Sequence, residues 1–230
     1  MLRPDEGARI LTLIERETIP EDCGRHVGMH GSVTLNSFKT ILKNVKDYFK
    51  DRKFCFFDVG CASGKMLFWA CLLGAVFAHG VELNGCIERR GKLREAGPQQ
   101  LFKNRLNVFP FMEGYVSAEF GVDAAEMNAY GMPSAYSSGG ITSYPVFLYI
   151  FGEGIPEKQL REIYRIAAKS RDVELIGCVP LKSHGNKLRT PEDILEALGT
   201  GWVQRGPSIY TKQSGSHDSK TFYFFIRKQF

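Results

Sequence analysis

The sequence feature that most constrains the fold is an apolar segment followed by a glycine-bracketed turn and a helical pattern. Residues 56–59 (FFDV) include an acid, Asp58, just before the turn, and residues 60–64 (GCASG) lead into a helix that begins at Lys65. Glycine lets a backbone turn sharply and approach a ligand closely. The first turn of a helix offers unbonded N–H groups and partial positive charge to a carboxylate. The segment therefore predicts a strand–turn–helix unit with a ligand-binding turn.

Two familiar glycine-rich loops do not fit this turn. A triphosphate-binding loop has four residues between its glycines and then Lys-Ser/Thr, whereas three residues separate Gly60 from Gly64 and Met66 follows Lys65. The dinucleotide pattern G-x-G-x-x-G has a different glycine spacing as well. The turn therefore favours a third kind of ligand, one with a carboxylate at the helix start.

A second acid follows the next predicted strand. Residues 76–82 (VFAHGVE) end in Glu82, 24 residues after Asp58. Loops after neighbouring parallel strands converge at the carboxyl ends of the strands, where a carboxylate can accept hydrogen bonds from a ribose diol. The two acids and the turn together predict a site for an adenosine-containing ligand, and S-adenosylmethionine has both the carboxylate and the ribose.

Apolar segments of strand and helix type alternate along the rest of the chain, which predicts an α/β fold with a parallel sheet. The tail after residue 202 reads as two strands joined by a polar hairpin, so the last strand should insert antiparallel. We expect seven strands, with helices on both faces, in one compact unit over residues 53–230. Strands are predicted at 54–59, 76–83, 107–112, 145–151, 173–179, 202–211 and 221–228, and helices at 65–73, 85–96, 156–170 and from 190.

Residues 1–52 predict a helical segment that packs on this unit and covers the site. After Thr34, apolar residues recur on one side of a helix, and four lysines occupy another side: Lys39, Lys43, Lys46 and Lys50. Such a stripe is either a solvated helix face or a surface that contacts phosphates.

Composition narrows the class of protein. The net charge is +5, and residues 182–230 hold eight Lys/Arg against four Asp/Glu, a basic bias that permits a nucleic-acid partner. Six cysteines lie in or beside apolar segments without metal-ligand spacing, which suits free thiols in a reducing compartment. No run has membrane-spanning length and no leader peptide is evident, so we expect an intracellular protein, cytoplasmic or nuclear, without membrane association.

The motifs DVGCASG and VELN resemble those of class I S-adenosylmethionine-dependent methyltransferases, over roughly residues 53–180. This resemblance implies a Rossmann-like, mostly parallel seven-stranded sheet with an antiparallel carboxyl-terminal strand. Residues 112–115 (MEGY) resemble the third-strand motif that holds adenine, with Tyr115 at the position of an aspartate. The residues that the resemblance assigns to the cofactor are Thr34, Asp58, Gly60, Cys61, Ala62, Gly64, Glu82, Leu83, Gly114 and Tyr115.

Residues 30–38 (HGSVTLNSF) resemble the loop before the sheet in the histone lysine methyltransferases named for disruption of telomeric silencing. Gly31 and Thr34 match that loop, and His30 replaces its tyrosine. Of the Asn-Asn-Phe segment after the fourth strand of that family, Phe151 alone matches. The resemblance implies Tyr149 and Phe151 beside the transferred methyl, His30 as a lid residue or base, and Glu153 near the acceptor.

The expected activity is methyl transfer to a protein, with histone lysine as the specific candidate. The polar residues 121–144 are too long for a simple connection and are expected to line the acceptor channel. Because the paired asparagines are absent, a nucleic-acid or small-molecule acceptor stays open. A non-catalytic module that binds the cofactor and a partner is the third alternative.

Overall fold

The computed structural model describes residues 33–50, 52–62, 64–83, 103, 114–122, 144–152, 155–180, 188–213 and 219–228. Its helices are α1 (Leu35–Phe49), α2 (Lys65–Leu72), α3 (Glu157–Lys169) and α4 (Pro191–Leu198). Its strands are β1 (Cys55–Val59), β2 (Phe77–Leu83), β3 (Tyr115–Val122), β4 (Val146–Phe151), β5 (Val173–Val179), β6 (Trp202–Gln204), β7 (Ile209–Lys212) and β8 (Ser219–Arg227).

The strands form one sheet in the order β3-β2-β1-β4-β5-β8-β6, and β7 pairs with β8. Strands β1 to β5 are parallel to one another, and β8 is antiparallel to β5. The predicted α/β fold with a mostly parallel sheet and an antiparallel carboxyl-terminal strand is confirmed. The strand order reverses between β1 and β4, which is the place where open α/β sheets bind ligands at the carboxyl ends of their strands.

The described sheet has eight strands rather than the predicted seven. The predicted strand 202–211 is divided into β6 and β7, which both pair antiparallel with β8 at successive positions. The interruption falls at residues 205–208 (RGPS), where Gly206 has a φ of 64° and Pro207 has no N–H to donate to a sheet.

The strand that pairs with β2 at the edge of the described sheet was not predicted from the sequence. It is β3, which runs from Tyr115 to Val122. The predicted strand 107–112 and the predicted helix 85–96 lie outside the described residues and stay predictions. Polar residues such as Ser117 and Glu119 alternate with apolar ones in β3. This alternation is typical of a strand that has one face less buried than the other. The central strands are recognised in the sequence by a continuous apolar run, which β3 lacks.

Apolar cores cover both faces of the sheet. One core joins the sheet to α1 and α2 through residues such as Phe38, Trp69 and Phe147. The other joins it to α3 and α4 through residues such as Ile163 and Ile194. Helices therefore pack on both faces, as predicted. None of the described helices combines the length and apolar character needed to cross a bilayer.

The described cysteines belong to these cores. All four are buried free thiols: Cys55, Cys61, Cys71 and Cys178. Burial raises the pKa of Cys55, Cys71 and Cys178 to about 12, so these side chains act as small apolar groups. Cys23 and Cys86 lie outside the described residues.

Candidate cofactor-binding site

The turn between β1 and α2 is held in an unusual backbone conformation. Gly60, Ala62 and Gly64 have φ values of 82°, 47° and 77°. Two successive N–H groups, those of Gly60 and Cys61, donate to the Val81 carbonyl at 2.9 and 3.0 Å. The turn is therefore fastened to β2. Ala62 is an L-residue in the left-handed region, a conformation that costs about 1–2 kcal/mol and that surrounding contacts must maintain.

Glu82 provides one of those contacts. Its Oε2 accepts a 2.6 Å hydrogen bond from the Ala62 N–H, and its side chain is buried. The predicted convergence of the turn and Glu82 at one edge of the sheet is thus observed. A carboxylate has about four acceptor positions on its two oxygens, so bonding to the turn is compatible with accepting hydrogen bonds from a ligand.

Asp58 lies next to this pair in the middle of the sheet. It is in register with Gly80 of β2 and Tyr149 of β4. Its side chain is 3% exposed, and its Oδ1 has no hydrogen-bond partner among the described residues. Burial, and secondarily the charge of Glu82, holds the pKa of the Asp58 carboxyl well above its usual range. A buried carboxyl oxygen in this state is stabilised by a cationic hydrogen-bond donor.

Gly80 lets the turn lie against the sheet. A Cβ at this position would come within 2.6 Å of the Cys61 Cβ and 2.9 Å of the Leu67 Cδ1. No side chain fits that space, because the side chains of Cys61 and Leu67 pack directly against the backbone of β2. The sequence pattern gives no role to Gly80, because the contact depends on strand pairing.

Lys65 is a further residue for which the sequence pattern predicts no role. It is the first residue of α2, is 7% exposed, and places Nζ 4.7 Å from the centroid of the Trp69 ring. Its charge adds to the positive potential of the helix start. The Gly-Lys pair that opens the helix is the one sequence signal that could have indicated it.

Tyr149 and Phe151 are in the core on the same face of the sheet. Tyr149 is 1% exposed and stacks on Phe222 at 5.8 Å between ring centroids, with Phe38 edge-on at 6.2 Å. Its hydroxyl has no hydrogen-bond partner in the described part of the chain. Burial, followed by the charge of Asp58, raises the pKa of Tyr149, and the backbone of Val33 opposes that rise.

Phe151, the last residue of β4, is 5% exposed and belongs to the same apolar cluster. Both aromatic residues are therefore near the carboxyl edge of the sheet but packed in the core, and their placement beside a methyl group stays a prediction. His30, Gly31 and Glu153 lie outside the described residues, as does most of the predicted acceptor channel.

Thr34 connects the start of α1 to the end of β7. Its Oγ1 caps α1 by accepting from the Ser37 N–H at 3.4 Å, and its own N–H donates to the Lys212 carbonyl at 2.8 Å. The preceding residue, Val33, pairs with Gln213 at the end of β7. Thr34 therefore has a clear structural task, and its predicted contact with a cofactor stays a prediction.

The structure does not bring Gly114 and Tyr115 to the turn and Glu82, and their predicted contact with the cofactor gains no support from it. Tyr115 pairs with Phe77, the first residue of β2, whereas Glu82 pairs with Phe120. Five residues of strand span about 16 Å, so Tyr115 lies at the amino edge of the sheet, opposite the site. There it is 66% exposed and stacks on Phe77 at 5.4 Å.

Gly114 has a packing role at that same edge, because a Cβ there would come within 2.7 Å of the Cys71 Cβ. At the carboxyl edge, Leu83 pairs with Val122. The residue that follows Val122 in sequence is Asp123, which lies outside the described residues. Because the sequence pattern predicts no strand over residues 115–122, it does not single out this acid.

Three methyltransferases are among the solved structures that resemble this chain. A presumed RNA methyltransferase of Pyrococcus horikoshii matches with a TM-score of 0.54 and 12% identity, over 98% of this chain and 100% of that one. Magnesium protoporphyrin IX methyltransferase from Synechocystis PCC 6803, solved with bound S-adenosylhomocysteine, matches with a TM-score of 0.53 and 12% identity, over 84% and 83%. The methyltransferase domain of a bacterial Hen1 protein matches with a TM-score of 0.51 and 15% identity, over 85% and 100%.

These likenesses show that the chain has the Rossmann-like fold of class I methyltransferases. No protein-family model and no curated protein sequence matches it. The narrower resemblance to histone lysine methyltransferases stays a prediction.

Proposed function

We propose that this chain binds S-adenosylmethionine at the carboxyl edge of β1 and β2 and transfers its methyl group to an acceptor. The observation that carries the proposal is the arrangement of Glu82, the turn at Ala62 and the unpartnered Oδ1 of Asp58. These groups meet beside the point where the strand order reverses, and fold likeness to methyltransferases supports the same conclusion.

The residues present suit each part of this cofactor. The buried oxygen of Asp58 suits the ammonium group, since a cation at that position removes the cost of an unpaired buried carboxylate. The positive potential at the start of α2, with the charge of Lys65, suits the carboxylate. Glu82 suits the ribose hydroxyls. Asp123, the acid that follows β3 in sequence, is our candidate for the adenine amino group.

When bound, the cofactor supplies an electrophilic methyl group on a sulfonium sulfur. The tasks left to the chain are to align the acceptor, exclude water and, for some acceptors, remove a proton. We assign alignment and water exclusion to the aromatic residues Tyr149 and Phe151, whose cluster borders Asp58. His30 is the candidate base.

A protein acceptor, with histone lysine as the specific candidate, is proposed from the resemblance of residues 30–38. A nucleic-acid acceptor is the second candidate, favoured by the exposed lysines of α1. Transfer of radiolabel from the cofactor to nucleosomes, free histones and RNA, measured in parallel, separates the two. Binding of the cofactor with transfer to none of these and to no component of a cell lysate would favour the non-catalytic module.

The cofactor proposal is tested by calorimetric titration with S-adenosylmethionine. Replacing Asp58→Asn removes the charge while keeping the shape, and we expect affinity to fall on the order of tenfold or more, the value of a charge-assisted hydrogen bond. Tyr115→Ala, at the opposite edge, is the matched control and should bind as the wild type does. Circular dichroism verifies that each variant is folded. Absence of binding by the folded wild type would refute the proposal.

A further inference from the structure

The outer side of α1 carries a line of lysines. The lysines at 39, 43 and 46 belong to α1 and Lys50 directly follows its last residue. They succeed one another at intervals of four, three and four residues, which places them along one side of the helix. All four are exposed. With a rise of 1.5 Å per residue, the line is about 16 Å long. We refer to these four residues as the lysine stripe.

The stripe keeps its charge uncompensated within the described structure. None of its lysines forms an ion pair with a described residue. The one acidic residue in α1 is Asp47, four residues after Lys43 and three before Lys50, and it pairs with neither. A solvated helix face usually alternates charges that support one another at such spacings. A line of like charges instead repels itself, and a polyanion relieves that repulsion.

The chemistry of the helix favours a phosphate backbone over other acidic partners. The apolar side of α1 is fully used in the core, where Phe38, Ile41 and Phe49 are completely buried. The exposed large hydrophobic residues of the described chain are Tyr115 and Tyr210, and neither is on α1. The stripe therefore lacks the apolar face that a membrane-bound helix inserts and the aromatic anchors that a protein interface needs.

The stripe begins beside the candidate site. Phe38, the residue before Lys39, packs on Tyr149 and on Trp69, with 6.2 and 5.9 Å between ring centroids. Farther along the stripe, Lys46 lies over Gly74, just after the last turn of α2. A strand bound along the stripe would run from the carboxyl edge of the sheet, where the cofactor is proposed to bind, toward the amino edge.

We infer that the lysine stripe is a binding surface for the phosphate backbone of a nucleic acid. Binding is electrostatic and independent of base sequence, and it requires no cofactor. The inference does not rest on the identity of the methyl acceptor, because a nucleic acid can be the acceptor itself or can accompany a protein acceptor.

The test is fluorescence anisotropy with a labelled oligouridine at several salt concentrations, without cofactor. The variant combines Lys39→Gln, Lys43→Gln and Lys50→Asn; Asn suits the left-handed conformation at residue 50, where φ is 49°. Lys46 is kept because it packs over Gly74. Loss of three phosphate contacts should reduce the slope of log K against log[salt] by about 2, and affinity by roughly tenfold or more.

The matched control removes the same charge from the opposite face of the sheet, with Lys158→Gln, Lys169→Gln and Arg171→Gln. These side chains are exposed, and none is in an ion pair with a described residue. The control should keep nearly the full affinity and slope. Equal losses in both variants, or no loss in the stripe variant, would overturn the inference.

Competition between the labelled oligouridine and other polyanions identifies the chemical class of the partner. Polyglutamate and phosphatidylserine vesicles, each added at charge matched to the oligouridine, should displace it poorly. If either competes as well as unlabelled oligouridine, the stripe is a site for acidic polypeptides or lipid surfaces and the inference fails. Calorimetry with S-adenosylmethionine on the same variants should show unchanged affinity, which separates this inference from the proposed function.

Discussion

The side chain of Glu82 and the backbone of Ala62 are joined by a 2.6 Å hydrogen bond that connects the end of β2 to the turn after β1. The bond satisfies a backbone donor in a turn whose central residue is left-handed, with φ 47°. Glu82 consequently has a structural task as well as its proposed one in binding ribose.

These two tasks can be separated by substitution. Glu82→Ala removes the acceptor of the Ala62 N–H, and we expect the free energy of unfolding of the free protein to fall by about 1.5–3 kcal/mol. Glu82→Gln keeps a side-chain oxygen that can accept the same hydrogen bond, so the unfolding free energy should fall clearly less in this variant. Urea unfolding of both variants measures the difference. Equal losses would show that the bond does not stabilise the turn.

Substituting Gly80 should destabilise the fold through a steric clash alone. A methyl group there would lie 2.6 Å from the Cys61 Cβ, so Gly80→Ala should force the turn away from β2 and lower the unfolding free energy by about 1–3 kcal/mol. Gly201→Ala is the control, because nothing lies within 4 Å of a Cβ at that position, and its effect should stay within about 0.5 kcal/mol. Thermal unfolding measures the stability of both variants in parallel. Similar unfolding free energies would contradict the steric role of Gly80.

The proposed role of Asp58 predicts that the affinity for the cofactor depends on pH. Burial and the neighbouring charge of Glu82 raise its pKa in the free protein, and the carboxylate is the form that pairs with a cation. Affinity for S-adenosylmethionine should therefore be highest above the raised pKa and fall by about tenfold per pH unit below it. Binding below that pKa should release a proton, which calorimetry in buffers of different ionisation enthalpy detects. Asp58→Asn should abolish the release, and its persistence would assign the proton to another group.

Protonation of the buried His79 should destabilise the folded protein at acid pH. Its ring nitrogen Nδ1 lies 2.6 Å from the Ser117 Oγ, and burial lowers its pKa from 6.5 to about 4. The folded protein thus favours the neutral ring, so the contribution of His79 to stability is complete above about pH 6.5 and declines as the pH falls toward 4. The full decline is about 3 kcal/mol, since one pKa unit corresponds to about 1.4 kcal/mol.

The variant that checks this is His79→Gln, which does not titrate and retains a polar group opposite Ser117. Its unfolding free energy should depend less steeply on pH than that of the wild type between about pH 6.5 and 4. Parallel curves for the two proteins would mean that His79 is not the group responsible.

Much of the site follows from local patterns in the chain. A strand, a turn and a helix are predicted within ten residues by the acid at 58 and the glycines at 60 and 64. The apolar runs of β1, β2, β4 and β5 predict strands that are buried on both faces. Parallel pairing of such strands then brings Glu82 to the turn without further information. The apolar spacing around Phe38 likewise predicts α1.

Other features were decided by contacts between distant segments. The motif around Tyr115 predicts a place in the site, but its pairing with Phe77 puts it at the amino edge of the sheet, away from Glu82. The need for glycine at position 80 arises where β2 meets the turn after β1, and the unpartnered Asp58 oxygen arises from burial. Periodicity and turn chemistry act within a few residues, so the sequence by itself determined the elements and the binding turn. Register, burial and the choice of sheet edge depend on which segments pair, and only the tertiary structure decided those.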